Sequence, residues 1–280
     1  MSFSSDIKIE LSNLNTYSKK ELIEAELIGY LYSSNTKKDG EWIEFITENE
    51  FNIERIYKIL FKLNIDYEPE TRRKVYIARI KETNIRNVEN LQNEDEKKAF
   101  IRGVFLGSGS INDPNKKYHL EILLKEKDIA QYIQNILKQA DIKSKILESK
   151  NTIYIKEGEE ISKFLAYIGA QKSVLNFEEI RVMKDLRNTV NRQVNCETAN
   201  LAKTVNAAVI QIDAINFLKK MKKFEELPDS LIEIADLRVQ YPEMSLKDLG
   251  AMLDNPIGKS GVNHRLNKII EIADELKRGN

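Results

Sequence analysis

The sequence contains very few of the residues that build metal sites and disulfides. One cysteine, Cys196, and two histidines, His119 and His264, occur among 280 residues. A single cysteine cannot form an internal disulfide, and two distant histidines do not have the spacing of zinc ligands. We therefore expect no structural metal, no cofactor and no disulfide framework.

Long apolar runs and an excess of one charge are also missing. No stretch approaches the roughly 18 apolar residues of a transmembrane helix, and Asp6, Lys8 and Glu10 interrupt the region where a signal peptide would have its apolar core. The 44 basic and 44 acidic side chains cancel, so nucleic-acid binding requires a local asymmetry of charge. Length and composition predict a soluble, cytoplasmic, globular protein of one to three domains.

The sequence does contain an internal repeat. Residues 25–35 match residues 99–109, which places Gly29 over Gly103. In each copy there follow a strand (42–47; 118–124), a helix with apolar residues at helical spacing (53–60; 129–137) and a second strand (75–80; 151–156). A further helix is predicted at 159–170. This order predicts a duplicated α+β unit whose two halves bury a shared core.

The matched glycines predict a seam between the halves. Glycine lets two helix backbones approach at a contact where any Cβ atom would separate them, so Gly29 and Gly103 are expected to face each other. The alternative is that a glycine within an amphipathic helix is a chance weak point costing about 1 kcal/mol. Two glycines at matched positions favour the seam.

Four blocks of sequence carry a resemblance to known families. Residues 100–110, FIRGVFLGSGS, resemble the signature helix of the LAGLIDADG homing endonucleases, in which paired helices form a seam and saddle-shaped sheets lie on DNA. Further blocks lie at 107–121, at 191–200 (NRQVNCETAN) and at 258–266 (GKSGVNHRL). Together, over nearly the full length, they resemble the WhiA family of bacterial sporulation and cell-division regulators.

The expected fold is α+β, with a duplicated LAGLIDADG-like α/β saddle domain followed by an all-α helix-turn-helix domain. We assign residues 1–180 to the first domain, with repeats at about 18–90 and 95–170. A helical linker takes 181–227, with an amphipathic segment at 201–221 whose apolar positions include Val205 and Val209. Residues 228–280 form the helix-turn-helix domain, because Pro228 follows the basic cluster at 219–223 and cannot continue its helix.

The positions of the nuclease acids are occupied by serines. A LAGLIDADG nuclease needs one carboxylate at the end of each signature helix to hold divalent cations. Aligned through the paired glycines, these positions are Ser34 and Ser108, whose hydroxyls cannot supply the charge. Asp39 and Asp113 could substitute, but both lie in turn-like sequence and are interpreted as loop residues. We therefore expect no catalytic residues and no metal.

Charged residues in two regions leave the role of the first domain open. Acidic residues of the first predicted strand region (41, 44 and 48) would repel phosphates if they faced DNA, while basic residues occur elsewhere in the predicted sheets. The saddle is therefore either a solvated mixed-charge surface or a DNA-facing one. Arg181, Lys184, Arg187 and Arg192 form a basic excess after the repeat, which is either a solvated helix face or a set of phosphate contacts.

Three helices predicted after Pro228 form the outline of a helix-turn-helix. The first spans 230–240, the second opens at a capping box, Ser245 to Asp248, and the third begins with Ser260 as N-cap and runs to 276. No acid occurs from residue 257 to 270. The predicted DNA-binding residues are Ser245, Lys247, Lys259, Ser260, Asn263, His264, Arg265, Asn267 and Lys268. Asn263 and Arg265 suit base edges and Lys259 suits a phosphate.

Three-helix modules also serve as protein-interaction or dimerisation units, but the family resemblance favours DNA. It implies a non-catalytic, sequence-specific transcriptional regulator acting in sporulation, cell division and chromosome segregation. The implied partners are double-stranded DNA and other transcription regulators, with no membrane and no small-molecule substrate, and the implied location is the nucleoid in the cytoplasm. The rival hypothesis is a metal-dependent LAGLIDADG endonuclease.

Overall fold

A computed structural model describes residues 2–15, 19–81, 88 and 91–278. Backbone contacts divide the chain into two compact units, Met1–Leu186 and Arg187–Asn280. The predicted ends of the first repeat, at 18 and 90, lie outside the described residues. Within the described part of the chain, no helix has both the length and the apolar character needed to cross a membrane.

The first unit contains the same helix-and-sheet arrangement twice. The first copy consists of α2 (Lys20–Tyr32), β1 (Thr36–Asp39), β2 (Trp42–Thr47), α3 (Glu50–Lys62), β3 (Tyr67–Arg72) and β4 (Val75–Lys81). The second consists of α4 (Glu94–Ser108), β5 (Gly109–Ile111), β6 (Leu120–Leu123), α5 (Lys127–Gln139), β7 (Lys145–Leu147) and β8 (Thr152–Ile155). Both sheets are antiparallel, with strand orders β1-β2-β4-β3 and β5-β6-β8-β7. The predicted duplication is confirmed.

Three helices of the first unit lie outside the repeated elements. They are α1 (Phe3–Ser12), α6 (Gly158–Ile168) and the first part of α7 (Gln171–Lys220). Ile7 and Leu11 of α1 are fully buried in the shared core. The Glu10 carboxylate accepts hydrogen bonds from the backbone N–H groups of Lys172 (2.7 Å) and Ser173 (2.8 Å). An anion at this end satisfies free N–H groups and complements the helix dipole, so α1 caps α7.

The linker differs from its sequence prediction. Instead of a separate segment at 201–221, one 50-residue helix, α7, begins at Gln171 and crosses the boundary between the units. Val205 and Val209, predicted on its apolar face, are 44% and 51% exposed. The apolar periodicity of the segment therefore extends beyond the part of α7 whose apolar face is covered.

The second unit is a three-helix domain to which the end of α7 contributes. Its further helices are α8 (Asp229–Gln240), α9 (Leu246–Ala251) and α10 (Lys259–Arg278). Their buried residues form one cluster, which comprises Ala214, Ile215, Leu218, Phe224, Leu227, Leu231, Ile234, Ala235, Leu249, Leu253, Val262, Leu266, Ile269 and Ala273. The predicted apolar stripes of the three helices thus build this core.

The two halves of the first unit meet where α2 crosses α4. A Cβ atom on Gly29 would lie 2.2 Å from the carbonyl oxygen of Phe100, and one on Gly103 would lie 2.1 Å from that of Glu26. The obstacles are backbone atoms, which cannot rotate away as a flexible side chain can. Only glycine fits at either position without separating the helices.

A buried ion cluster lies beside this seam. Glu26 of α2 receives a bidentate pair of hydrogen bonds from Arg55 of α3 and one from Nε of Arg102 of α4, at 3.0 Å. All three residues are buried. Burial alone would raise the pKa of Glu26, but the charges of Arg102 and Arg55 and their hydrogen bonds outweigh it and hold the pKa below its ordinary value.

The Arg55 guanidinium also donates to the carbonyl oxygens of Ser12 (3.1 Å) and Leu14 (2.9 Å), after the end of α1. Arg102 donates to the carbonyl oxygen of Ile168, the last residue of α6. One carboxylate therefore holds two guanidinium groups that tie the seam to the ends of two further helices. The bonds between Glu26 and the two guanidinium groups depend on that carboxylate remaining ionised.

We expect Gly103→Ala to destabilise the first unit by about 3 kcal/mol, and Gly103→Val by more, because the added atoms force two backbones apart. Urea or thermal unfolding of the full-length protein measures this. Lys98→Ala, on the exposed side of the same helix, is the matched control and should change stability by less than about 0.5 kcal/mol. Equal midpoints for Gly103→Val and the wild type would contradict the seam.

We expect Glu26→Gln to cost about 3–5 kcal/mol at pH 7, because it leaves two buried guanidinium groups without their counter-ion. A carboxylate with a lowered pKa contributes stability above its unfolded pKa, and that stability is lost as pH falls through the folded pKa. The difference in the free energy of unfolding between wild type and variant should therefore become smaller below about pH 4. Glu54→Gln, an exposed change, is the control, and a difference that does not vary between pH 7 and pH 3 would contradict the assignment.

Candidate functional site

The two positions aligned with nuclease acids lie at the ends of the seam helices. Ser34 follows the end of α2, and its backbone N–H donates to the carbonyl oxygen of Leu123 at 3.2 Å. Ser108 is the last residue of α4 and is buried, and its Oγ donates to the same carbonyl oxygen at 2.5 Å. Both serines thus bind the backbone of β6. Among the described residues, no three His, Cys, Asp or Glu side chains cluster as metal ligands would.

The two aspartates considered as substitutes have local structural roles. Asp113 accepts hydrogen bonds from the backbone and side-chain nitrogens of Asn115, at 2.9 and 3.0 Å, which is the geometry of a turn. These bonds lower the pKa of Asp113. Asp39 is the last residue of β1, before Gly40 with a φ of 60°. The interpretation of Asp39 as a loop residue is therefore wrong by one position, since the strand includes it.

The outer face of the first sheet carries charges that neutralise one another. Phe45 and Ala78 are buried on the core face, so their neighbours Glu44 and Arg79 point to the opposite face. Arg79 pairs with Glu44 at 2.6 Å and with Glu70 at 3.0 Å. The two carboxylates neutralise the positive charge of this guanidinium, so it attracts a phosphate only weakly. This pairing favours the solvated, mixed-charge interpretation of the sheet.

The four basic residues after the repeat have different surroundings. Arg181 pairs with Glu178 at 2.6 Å, and the Lys184 ammonium donates to the carbonyl oxygen of Lys116 at 2.6 Å while lying over the ring of Tyr118. These two side chains are thus bound within the first unit. Arg187 and Arg192 are exposed on α7.

In the second unit, the predicted N-cap at Ser245 is confirmed. Ser245 is the N-cap of α9, its Oγ accepts from the backbone N–H of Asp248 at 3.3 Å, and it donates to the Asp248 carboxylate at 2.7 Å. Lys247, also predicted to bind DNA, is exposed on the first turn of α9. The capping therefore uses the Ser245 hydroxyl within the protein.

The third helix begins two residues earlier than predicted, because its flanking N-cap position is Gly258 and not Ser260. The carbonyl oxygen of Gly258 accepts the first bonds, from the backbone N–H groups of Gly261 (2.9 Å) and Val262 (3.2 Å), and α10 starts at Lys259. Ser260 is consequently the second residue of the helix, and its prediction as N-cap is wrong. A glycine takes the flanking position instead. Lys259 and Ser260 are both exposed on the first turn.

The buried and the exposed side chains of α10 lie on different sides of the helix. Val262, Leu266 and Ile269 are fully buried, whereas Asn263, His264, Asn267 and Lys268 are exposed. Asn263 and Asn267 are four residues apart and share a face, as do His264 and Lys268. Lys268 also pairs with Glu271 at 3.2 Å. Four exposed polar side chains thus project together from the amino-terminal half of the helix.

Arg265 is placed differently from these four. It is partly buried, and its Nη1 donates to the carbonyl oxygen of Ser230 in the first turn of α8, at 3.3 Å. A base contact from Arg265 would require this long hydrogen bond to be given up.

Two residues that sequence reasoning missed build the turns around these helices. Arg238 is almost fully buried, and its Nη1 donates to the carbonyl oxygens of Pro242 (3.2 Å) and Met244 (2.9 Å) between α8 and α9. Its burial lowers the pKa of Arg238. A Cβ on Gly250 would lie 2.2 Å from the carbonyl oxygen of Ile257, so α9 packs directly on the turn that leads to α10. In the sequence, Tyr241-Pro242 indicates a turn after α8, but nothing marks Arg238 as the residue that holds this turn.

The chain matches two family models along most of its length. Residues 33–91 and 97–187 match the WhiA LAGLIDADG-like domain, and residues 190–273 match the WhiA C-terminal HTH domain. The chain belongs to the WhiA family. It therefore combines a LAGLIDADG-like domain with a carboxy-terminal helix-turn-helix domain. The fold class predicted from the sequence is confirmed.

Curated relatives and solved structures agree with this assignment. The chain is 40% identical to the probable cell division protein WhiA of Clostridium acetobutylicum over 99% of both chains, and 41% identical to that of Clostridium tetani over the whole of both. A 52% identical match to the Clostridium beijerinckii protein spans 66% of this chain and 60% of that relative. The crystal structure of full-length WhiA from Thermotoga maritima superposes with a TM-score of 0.66 at 30% identity, covering 98% of this chain and 99% of that one.

We expect Gly250→Ala to destabilise the helix-turn-helix domain by roughly 2–3 kcal/mol, because the methyl group would push α9 away from the turn. Ala251→Ser is the control, since Ala251 is the next residue of the same helix and is exposed. Thermal unfolding followed by circular dichroism gives both values. Similar stability of the two variants would show that α9 and the turn are not in close contact.

Proposed function

We propose that this WhiA-family protein is a non-catalytic, sequence-specific DNA-binding regulator of transcription that reads the major groove with α10. The observation that carries the proposal is the separation of faces on that helix. One side is buried in the core, and the other presents amide, imidazole and ammonium groups without an acid from residue 257 to 270. A recognition helix requires one side that is packed in the core and another that exposes hydrogen-bonding groups.

Each group on the exposed side suits a feature of DNA. Asparagine amides pair with adenine in the major groove, so Asn263 and Asn267 are proposed as base readers, with His264 beside them. Arg265 is proposed as a guanine reader once it leaves the Ser230 carbonyl. Lys259, Ser260 and Lys268, with Lys247 of α9, are proposed to contact phosphates, as are Arg187 and Arg192 of α7. For Arg181, Lys184 and Ser245 the intramolecular partners favour a structural role.

The biological setting follows from the family. Relatives of this chain are named probable cell division proteins, and we propose for this chain a role in cell division, sporulation and chromosome segregation. It would act at the nucleoid, in the cytoplasm, together with other transcription regulators. Mapping its binding sites across the genome by chromatin immunoprecipitation would provide the operator sequence and the regulated genes.

A metal-dependent endonuclease is the competing function, since the first domain is LAGLIDADG-like. Serines at positions 34 and 108, both bound to the backbone of β6, support a protein without nuclease chemistry. Incubation of supercoiled plasmid with protein and Mg²⁺ or Mn²⁺ tests this. Reproducible metal-dependent cleavage that co-purifies with the protein would overturn the proposal.

Variants of α10 should separate base reading from phosphate attraction. Asn263→Ala and Arg265→Ala should each cost about 1–3 kcal/mol on the operator and little on random duplex, because a lost base contact relaxes preference at one base pair. Lys259→Ala should weaken binding to both duplexes and reduce the slope of log K against log salt by about one. Fluorescence anisotropy on both duplexes at several salt concentrations measures these effects.

Lys220→Ala is the control for charge. Lys220 ends α7, and Phe217 one turn earlier lies under the ammonium of Lys277, so this region adjoins the opposite end of α10. The control should leave the salt slope unchanged. If Arg265→Ala, Asn263→Ala and Lys259→Ala weaken both duplexes equally, α10 is not the sequence reader.

A further inference from the structure

A cleft lies at the carboxy-terminal end of the helix seam, next to the positions where a nuclease would hold its acids. Ser5 and Lys8 of α1 line one part of it, and Asn35 and Gly107, from the ends of the two seam helices, line another. Thr47 and Asn49, between β2 and α3, contribute as well. The Asn35 side-chain amide donates to the carbonyl oxygen of Gly107 at 2.8 Å, which joins the two seam ends.

Lys8 brings a charge into this cleft without a counter-charge. Its side chain is partly buried, and within the described part of the chain its ammonium has no hydrogen-bond or ion-pair partner. Burial lowers the pKa of Lys8 to about 8, so the group is still mostly protonated at pH 7. A buried charge without a partner is costly, and an anion beside it would remove the cost.

The neighbouring groups leave donors available to such an anion. Asn49 uses its Oδ1 to cap α3, by accepting from the backbone N–H of Asn52 at 3.1 Å, so its NH₂ group remains available. The Ser5 side-chain hydroxyl is a further potential donor from α1. Glu48 is the one acid among the described residues that line the cleft, and its carboxylate makes no ion pair with Lys8. A cleft lined by an ammonium together with hydroxyl and amide groups is suited to an oxyanion.

We propose that this cleft binds a phosphate-class oxyanion through the ammonium of Lys8. In a LAGLIDADG nuclease the positive charge at the end of the seam belongs to metal ions held by acids, whereas here it belongs to an ammonium supplied by α1. An ammonium attracts a phosphate but does not generate a metal-bound hydroxide. The site therefore binds the anion without cleaving it, and it is independent of base reading by α10.

Thermal unfolding of the full-length protein in sodium phosphate, against sodium chloride of equal ionic strength, tests the site. We expect phosphate to raise the melting temperature of the first unit by a few degrees in a saturable manner. Lys8→Met should abolish the rise, Lys8→Arg should retain it, and Lys37→Met, an exposed lysine on β1, is the matched control. The proposal is overturned if phosphate has no effect beyond chloride, or if Lys8→Met responds as the wild type does.

The phosphate could belong to a DNA backbone or to a free phosphate compound, and a second measurement distinguishes these sources. If a DNA phosphate occupies the cleft, Lys8→Met should reduce the salt slope of binding to a random duplex by about one. If the source is a free phosphate, the slope should remain unchanged while the thermal effect of inorganic phosphate is lost. Failure of α10 variants to alter operator binding would leave both results untouched.

Discussion

The close crossing of α2 and α4 is the constraint on which the first domain depends. Carbonyl oxygens of each helix occupy the space that a Cβ atom would need at the glycine of the other. Since those oxygens belong to hydrogen-bonded helices, they cannot move without disturbing a turn of backbone. The separation of the two halves is therefore fixed by main-chain atoms, and the buried cluster around Glu26 attaches α1, α3 and α6 to the same place.

This constraint is separate from the chemistry of a nuclease. The glycines that set the crossing lie three and five residues before the last residues of α2 and α4, whereas catalytic acids would have to stand at the ends themselves. Serines at the ends bind the carbonyl oxygen of Leu123, so they join the seam to the second sheet. The architecture can thus be maintained without any metal-binding carboxylate, because no contact that holds the helices together requires one.

The duplicated core could be predicted from the sequence because its signals are local. The helices α3 and α5 carry apolar residues at helical spacing, and the central strands are rich in β-branched and aromatic residues. The four edge strands, β1, β3, β5 and β7, were not predicted. Strand β3 contains Pro69, which is tolerated because an edge strand leaves some backbone groups outside the ladder. The helix α1 was not predicted either, because Asp6, Lys8 and Glu10 interrupt its apolar positions.

The features of the candidate sites that could not be predicted from the sequence depend on long-range contacts. Arg238 appears as an ordinary helix residue until its guanidinium is seen between two carbonyl oxygens of the following turn. Lys8 and Asn35 are 27 positions apart and meet only because α1 packs at the end of the seam. The N-cap of α10 was misplaced by two residues because serine is a better N-cap than glycine by propensity, while the backbone bonds of Gly258 decide the outcome.

The arrangement of α10 determines how its variants can be interpreted. Its buried side chains, Val262, Leu266 and Ile269, fix the helix in the core, and none of them can reach solvent. The exposed Asn263 and Asn267 make no contribution to that core, so their replacement should alter recognition while the domain remains folded. Arg265 belongs to both groups, because it touches the first turn of α8. A loss of binding on its replacement therefore identifies a base contact only if stability is unchanged, whereas a loss at Asn263 carries no such ambiguity.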